Sequence, residues 1–504
     1  MNYTELLIDT LDYSEGSNDL EDTILQFKVR LVGTGVDAFC GLNLSKIDKI
    51  LTNWDNRDLT WENVMEVGHL LGNALFQDPI RQVLLQRMPK PGSDDGLRIR
   101  LFLQYPLTNY PFEYLLINDT GGETTANHFL ALRPNLSIVR HQNNQAPPSM
   151  LSPGTYPVKM VVALASPTTF PPVLDLSKER TAIAEAVDNY PERVKAVFCE
   201  PAILTNLEAA LKEAPIFHYA GHAAMAKKAS KIFGLLEGKG KLILDDDDGD
   251  GLPDPMDIEQ LSALLKTANT RLAVLGGCET ARRDDLNIWS SLAAHLLNAG
   301  LFAVIGMQYK IGNKSATAFT GEFYNALLAG LSIDQAVTNG RMAVAALGNV
   351  RDWAVPVLYL AGMTDGIVFK EFKDDPALEP VRQKIITKAT QILGELTGKL
   401  TGIKAKNIAW GKVEVYEKIE HVAKGATAIA VEAETVQPGA EVNTTQIIDN
   451  LEGEVIGQKY NTIGSSSAKS SNTTGGLTCS NCGTTNRPGD KFCKKCGKPL
   501  LNTP

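Results

Sequence analysis

Four of the seven cysteines fall in two Cys-x2-Cys pairs near the C-terminus: Cys479 with Cys482, and Cys493 with Cys496. Two such pairs on tight turns bring four thiolates to tetrahedral positions around zinc, about 2.3 Å from each sulfur. Gly483 and Gly497 each follow the second cysteine of a pair, where a knuckle turn needs a residue tolerant of unusual φ. The segment has few apolar residues, so metal binding must supply most of its folding energy. With all four positions filled by protein, the expected zinc is structural. The competing reading is two reactive or disulfide-forming pairs, and this spacing favours zinc. The module holds five Lys and Arg against one Asp. Four thiolates and one zinc ion contribute a further −2, so its basicity is slight and points to protein docking or spacing over nucleic acid.

A second set of reactive side chains lies in the middle of the chain. The segment APIFHYAGH ends in His222 and RLAVLGGCET carries Cys278, each just past the C-terminal end of an apolar, strand-like run. In an open parallel sheet the crevice outside the strand C-termini is where chemistry is built. There an imidazole beside a thiol can raise the thiolate fraction, which is small at a free pKa near 8.5, and later protonate a leaving amine. Gly276-Gly277 allows close backbone approach, and amides next to Cys278 and His222 could hold an oxyanion. The plain alternative is a packed cysteine and a hydrogen-bonded histidine, since both types commonly end core strands. His218, four residues earlier, reads as a structural hydrogen-bonding residue, His295 as a core residue of the next helix, and Cys40 and Cys199 as packing thiols.

Between these segments runs LILDDDDGDGLPDPMDI. Asp246, Asp248, Asp250 and Gly251 follow the D-x-D-x-D-G rule of calcium loops, with Asp257 at the twelfth position and Asp254 as a further acid. Three readings stand: a solvated acidic turn, a calcium hairpin, and a loop that attracts a basic side chain of a substrate, with Asp284 and Asp285 as further acids for that purpose.

The elements that must position these residues are legible. Short continuous apolar runs at Val158–Ala165, Ile216–Tyr219, Leu272–Leu275 and Phe302–Gly306 alternate with helical stretches, as buried parallel strands do. Ile288, Leu292 and Leu296 line one helix that stops at Gly300, and Phe319, Phe323 and Leu327 line another that stops at Gly330. Ser332 with Gln335 predicts a capping box. Earlier, Val64, Val67, Leu71 and Leu75 behind Thr60 predict an amphipathic helix, and Leu97, Ile99, Leu101 and Leu103 a strand. The expected fold is α/β, a mostly parallel sheet flanked by helices, with a small β-rich appendage and the C-terminal zinc module. The boundaries are 1–150 for an N-terminal α/β part, 151–370 for the central domain and 371–400 for a helical connector striped by Val381, Ile385, Ala389 and Leu393. The β-rich appendage follows at 401–463, a flexible Ser/Gly/Thr linker at 464–477 and the zinc module at 478–504.

The 504 residues carry 49 Lys and Arg against 58 Asp and Glu, a formal charge of −9, with 44% hydrophobic residues. This is globular composition, and it argues against a disordered chain or a nucleic-acid binder working by bulk charge. The N-terminus lacks the basic and apolar regions of a secretory signal, and no apolar run reaches the ~18–20 residues of a membrane span. Seven cysteines do not read as a disulfide framework, so a cytoplasmic location is expected.

FHYAGHA (217–223) and VLGGCETA (274–281) resemble the two signature segments of the CHAT family, caspase-like cysteine peptidases of the separase, gingipain and caspase group. YPFEYL (110–115), FLALRPNLSIVR (129–140), FAVIGMQYKI (302–311), AFTGEFYNALLAG (318–330) and WAVPVLYLAG (353–362) resemble further segments, so the likeness runs from about 60 to 370. The resemblance implies a caspase-like fold, His222 as general base or acid and Cys278 as nucleophile. It also implies an oxyanion hole made by the backbone amides of Cys278 and Ala223. Ala223 replaces the family's usual glycine, Phe112 a common tryptophan, and Gly276-Gly277 a frequent Ser-Ala. The last segment resembles the zinc ribbons appended to many microbial proteins. Two functions are weighed: a cysteine endopeptidase acting on protein substrates, regulated or recruited through its C-terminal modules, and a weak or inactive caspase-like scaffold that binds proteins through the ribbon.

Overall fold

The computed structural model describes residues 2–17, 22–55, 59–89, 95–117, 128–133, 135–141, 156–225, 240–277, 288–362 and 366–369. It also describes the backbone of strands between 385 and 486. The chain forms two compact units, Met1–Asp375 and Pro376–Pro504.

The first unit begins with strands β1 (Asn2–Ser17), β2 (Thr23–Leu31) and β3 (Val36–Asn43). Helices α1 (Leu44–Asp55), α2 (Trp61–Leu75) and α3 (Ile80–Arg87) follow, then β4 (Asp95–Phe102) and β5 (Leu136–His141). α2 starts where expected, because Thr60 and Asn63 form a reciprocal capping box that satisfies two otherwise orphaned donors. The second half alternates strands and helices: β6 (Val158–Leu164), α4 (Ser177–Asp188), β7 (Val194–Cys199), α5 (Leu204–Ala210), β8 (Ile216–Met225), β9 (Gly240–Leu244) and β10 (Asp254–Asp257). It continues with α6 (Ile258–Thr267), β11 (Leu272–Gly277), α7 (Ile288–Asn298), β12 (Ala303–Met307), α8 (Asn313–Leu328), α9 (Ile333–Ala346) and β13 (Pro356–Leu360). Ser332 and Gln335 cap α9 reciprocally, and Gly300 and Gly330 take positive φ after α7 and α8.

One sheet runs through both halves in the order β10-β9-β8-β11-β12-β13-β5-β4-β1-β2-β3, with β6 beside β8 and β7 beside β6. β6, β8, β11 and β12 are mutually parallel; β13 turns antiparallel to β12 but parallel to β5, which continues parallel through β4 to β1. The parallel strands are buried on both sides, which explains their unbroken apolar runs. On one face Phe217, Tyr219, Ala273 and Leu275 pack with Leu207, Leu261, Leu265, Leu292 and Leu296 from α5, α6 and α7. Each buried Leu or Phe among them contributes about 1.5–3 kcal/mol. His295 is exposed, contrary to expectation. The buried stripe of α7 is centred between Leu292, Ala293, Leu296 and Leu297, which rotates His295 towards water.

A buried ion network joins the halves. Arg98 of β4 donates from Nε to Asp334 of α9 at 2.8 Å and from Nη1 to Glu5 of β1 at 2.6 Å, while Ser137 donates to Asp334 at 2.6 Å. Glu113 accepts both Nε and Nη2 of Arg140, at 2.9 and 2.7 Å, and Phe112 lies under that guanidinium. The YPFEYL segment thus carries a packing and charge-pairing role.

The second unit is a two-sheet parallel coil. Strands β14 (Ile385–Leu396), β16 (Gly411–Val422), β18 (Ala440–Leu451) and β20 (Ala468–Thr474) form one sheet. Strands β15 (Lys399–Ile408), β17 (Thr427–Val436) and β19 (Glu454–Ile463) form the other, so successive strands alternate between sheets, one coil every ~27 residues. The register sets Leu393, Ile419 and Ile448 at one level. The helix expected within 371–400 is corrected: 385–396 is a strand, as is 468–474 inside the expected linker. A spacing of four is a multiple of the strand period as well as near one helical turn, and Ile385, Ile386, Thr387, Thr390 and Ile392 are β-branched.

Candidate active site

β8 and β11 run in parallel register from Ile216 opposite Leu272 to Gly221 opposite Gly277. The last pair therefore consists of the residues that immediately precede His222 and Cys278 in the chain. Cys278, Asp284 and Asp285 lie outside the described residues. From His222 onward β8 leaves the parallel sheet and pairs antiparallel with β9, His222 opposite Ile243 and Ala223 opposite Leu242. His222 thus stands where the strand changes partners, at the carboxyl end of the sheet.

The imidazole of His222 is fully buried. Its Nε2 lies 2.9 Å from the carbonyl oxygen of Pro172, in the connection between β6 and α4. A carbonyl only accepts, so Nε2 carries a hydrogen, and in the neutral ring Nδ1 keeps the lone pair. Phe170 from the same connection packs on the ring, centroids 5.0 Å apart at 47°. The sequence does not mark Pro172, because a backbone carbonyl leaves no trace in residue type. The PTTFPP run in that connection was the only available signal.

His218 faces the same side of β8 two residue pairs earlier. Its Nδ1 lies within hydrogen-bond distance of the Tyr324 hydroxyl of α8, at 3.0 Å, and its Nε2 lies 3.4 Å from Glu179 Oε1, without hydrogen-bond geometry. Glu179 also accepts from Thr320 at 3.0 Å. Burial and the adjacent Glu179 push the Tyr324 hydroxyl pKa well above its ordinary value, which keeps it protonated. The expected structural role of His218 is observed: it ties β8 to α4 and α8.

Ala223 lies within β8 and is buried; it is not among the described residues with positive φ. The position therefore does not require glycine for its backbone conformation, and alanine keeps the N–H. Gly221 does require glycine, for space. A Cβ there would lie 2.5 Å from the Tyr219 hydroxyl and 2.9 Å from the Ala165 carbonyl.

The acidic loop divides. Ligand oxygens of Asp246, Asp248 and Asp250 lie within 4.8 Å of one another. Asp246 accepts from the amides of Gly249 and Gly251, both at 2.7 Å, which hold its carboxyl below the usual range. Asp257 does not join them: it caps α6, accepting from Gln260 N at 3.0 Å. Asp254 is likewise taken up, accepting from Asp247 N at 2.8 Å. Three of the five acids thus come together, because the connection from β9 to β10 uses Asp254 and the turn from β10 into α6 uses Asp257.

Cys40 and Cys199 are buried free thiols. Burial pushes the Cys40 thiol up to about 11 and raises that of Cys199. At the C-terminus β21 (Leu477–Thr478) pairs antiparallel with β22 (Thr485–Asn486), Thr478 opposite Thr485. This hairpin closes on residues 479–484, which carry Cys479 and Cys482. The four zinc-candidate cysteines themselves lie outside the described residues.

A model of the CHAT domain matches residues 65–362, more than half of the sequence. The chain belongs to the CHAT-domain family. A zinc-ribbon domain model matches 478–500, spanning all four cysteines of the two pairs. The hairpin around the first pair and the all-thiolate donor set fit structural zinc. No curated protein matches the sequence. Among solved structures, the Arg-specific cysteine proteinase gingipain R (RGPB) aligns at 11% identity and a TM-score of 0.36, over 64% of this chain and 77% of that one. The separase of the Saccharomyces cerevisiae separase–securin complex aligns at 11% identity and a TM-score of 0.33, over 71% of this chain but 30% of that one. Among the described residues no helix is long and apolar enough to cross a membrane.

Proposed function

We propose that this CHAT protein is a cysteine endopeptidase in which Cys278 and His222 form the catalytic dyad. The observation that carries the reading is the held imidazole. His222 is buried where β8 leaves the parallel sheet, its Nε2–H is engaged by Pro172, and the neighbouring strand ends one residue before Cys278. This tautomer leaves Nδ1 as the nitrogen that takes a proton.

In the reaction Nδ1 takes the thiol proton and the Cys278 sulfur adds to a peptide carbonyl carbon, forming the C–S bond. The carbonyl electron pair moves to oxygen, where the amides of Ala223 and Cys278 receive it. Collapse of the intermediate breaks the C–N bond, and the imidazolium gives its proton to the departing amine. Water, deprotonated by His222, then hydrolyses the thioester. Pro172 stabilises the imidazolium by accepting from Nε2–H without exchanging a proton. The second unit has the character of a recruiting module: its parallel coil offers stacked strand surfaces, and Cys479, Cys482, Cys493 and Cys496 would hold one zinc that supplies the folding energy of the ribbon. Protein substrates or regulators would dock there.

A peptide acyloxymethyl-ketone probe tests the dyad. Wild type should label at Cys278, and Cys278→Ala and His222→Ala should both lose the label. Equal labelling of Cys278→Ala and wild type would remove the assignment.

A further inference from the structure

Tyr219 is fully buried, and its hydroxyl lies 2.6 Å from the carbonyl oxygen of His222 and 2.8 Å from that of Ile243 on β9. The ring reaches these carbonyls by folding back over Gly221, where any Cβ would meet the hydroxyl at 2.5 Å and Cζ at 2.7 Å. The ring belongs to an apolar core cluster with Phe217, Ala223, Leu242 and Leu275. Its hydroxyl is shared between two carbonyls at the point where β8 changes partners.

The carbonyl of His222 and the N–H of Ala223 belong to the same peptide group. All cis peptides among the described residues precede proline, so this one is trans, and its C=O and N–H point in opposite directions. Fixing the oxygen on Tyr219 therefore aims the Ala223 N–H away from that anchor. Resting on the peptidase reading above, we propose that Tyr219 is a positioning residue for the oxyanion hole: its hydroxyl orients the His222–Ala223 peptide so that the Ala223 N–H receives the oxyanion. A phenylalanine would fill the same apolar space and remove only the hydroxyl's hold on this peptide.

The test separates acylation from thiolate formation in the full-length chain. Iodoacetamide alkylates a thiolate by displacement of iodide and forms no oxyanion. p-Nitrophenyl acetate acylates it through a tetrahedral oxyanion and expels p-nitrophenolate, which leaves unprotonated, so its rate does not depend on proton donation by His222. Both reagents are indifferent to peptide sequence. Tyr219→Phe should slow acylation of Cys278 by p-nitrophenyl acetate about 10–100-fold, less than or comparable to outright loss of one oxyanion donor. Its iodoacetamide rate and the pH profile of that rate should stay within about twofold of wild type. Acylation by Tyr219→Phe at the wild-type rate would overturn the proposal. So would an equal fall of both rates, which would mark a general loss of structure. Failure of the peptidase reading looks different: acylation of the wild-type chain would then persist in Cys278→Ala.

Discussion

Replacing Gly221 by alanine tests the packing that holds the His222 strand end. In an ordinary strand the change would gain about 0.5–1 kcal/mol by restricting the unfolded chain. Here the new Cβ would lie 2.5 Å from the Tyr219 hydroxyl, 2.7 Å from its Cζ and 2.9 Å from the Ala165 carbonyl. The first of these is about 1 Å inside ordinary van der Waals contact. Neither neighbour can yield cheaply. The hydroxyl is held between two carbonyls, and Ala165 is pinned by its own N–H bond to Ala220 O at 2.9 Å. Overpacking costs about 1–3 kcal/mol, and displacing the hydroxyl strips buried carbonyls of a donor at about 1–3 kcal/mol more. The clash outweighs the backbone gain, for a net destabilisation of about 2–4 kcal/mol. Guanidinium unfolding followed by tryptophan fluorescence, with Trp410 of the second unit replaced by phenylalanine in both proteins, reads this directly. Gly249→Ala is the control: φ is +80° with no atom within 4 Å of the added Cβ, so strain alone, about 1 kcal/mol, is expected. An unfolding midpoint for Gly221→Ala at or above wild type would refute the reasoning.

Three further outcomes follow from the same structure. Asp334→Ala should destabilise the first unit by about 3–5 kcal/mol, because it removes the carboxylate that holds Nε and Nη2 of the fully buried Arg98; guanidinium unfolding measures it. Iodoacetamide at pH 7.5 should leave Cys40 and Cys199 unmodified in the folded chain, as read by peptide mass spectrometry. Labelling of Cys40 should rise only as pH approaches about 11, since burial keeps the thiol neutral beyond the pH at which a free thiol ionises. Metal analysis should find one zinc per chain, lost on Cys493→Ser, with alkylation of Cys278 unchanged because the ribbon is a separate folding element.

The sheet was legible in the sequence because its strands are buried on both faces. Val158–Ala165 and Leu272–Leu275 have no competing helical period, and Thr60, Ser332, Gly300 and Gly330 mark helix ends by chemistry that works locally. His222 stands out in the sequence at the end of an apolar run, although β8 continues past it to Met225. What escaped is what residue type does not encode. The partner of Nε2 is a main-chain oxygen, and Tyr219 is hidden in an apolar run where its ring and not its hydroxyl dominates the pattern. The coil of the second unit escaped because Ile385, Ala389 and Leu393 satisfy both periods and its repeats share a length more than a motif. Asp257 was misassigned because a helix cap and a calcium ligand call for the same side chain.

If Cys278 and His222 form a working dyad, this chain cuts peptide bonds. Mass spectrometry of new N-termini in a cell lysate, treated with wild type, Cys278→Ala or His222→Ala, tests it most directly. Cleavage at a restricted set of sites by wild type, absent with both variants, is the predicted result. Identical N-termini from all three preparations would contradict it.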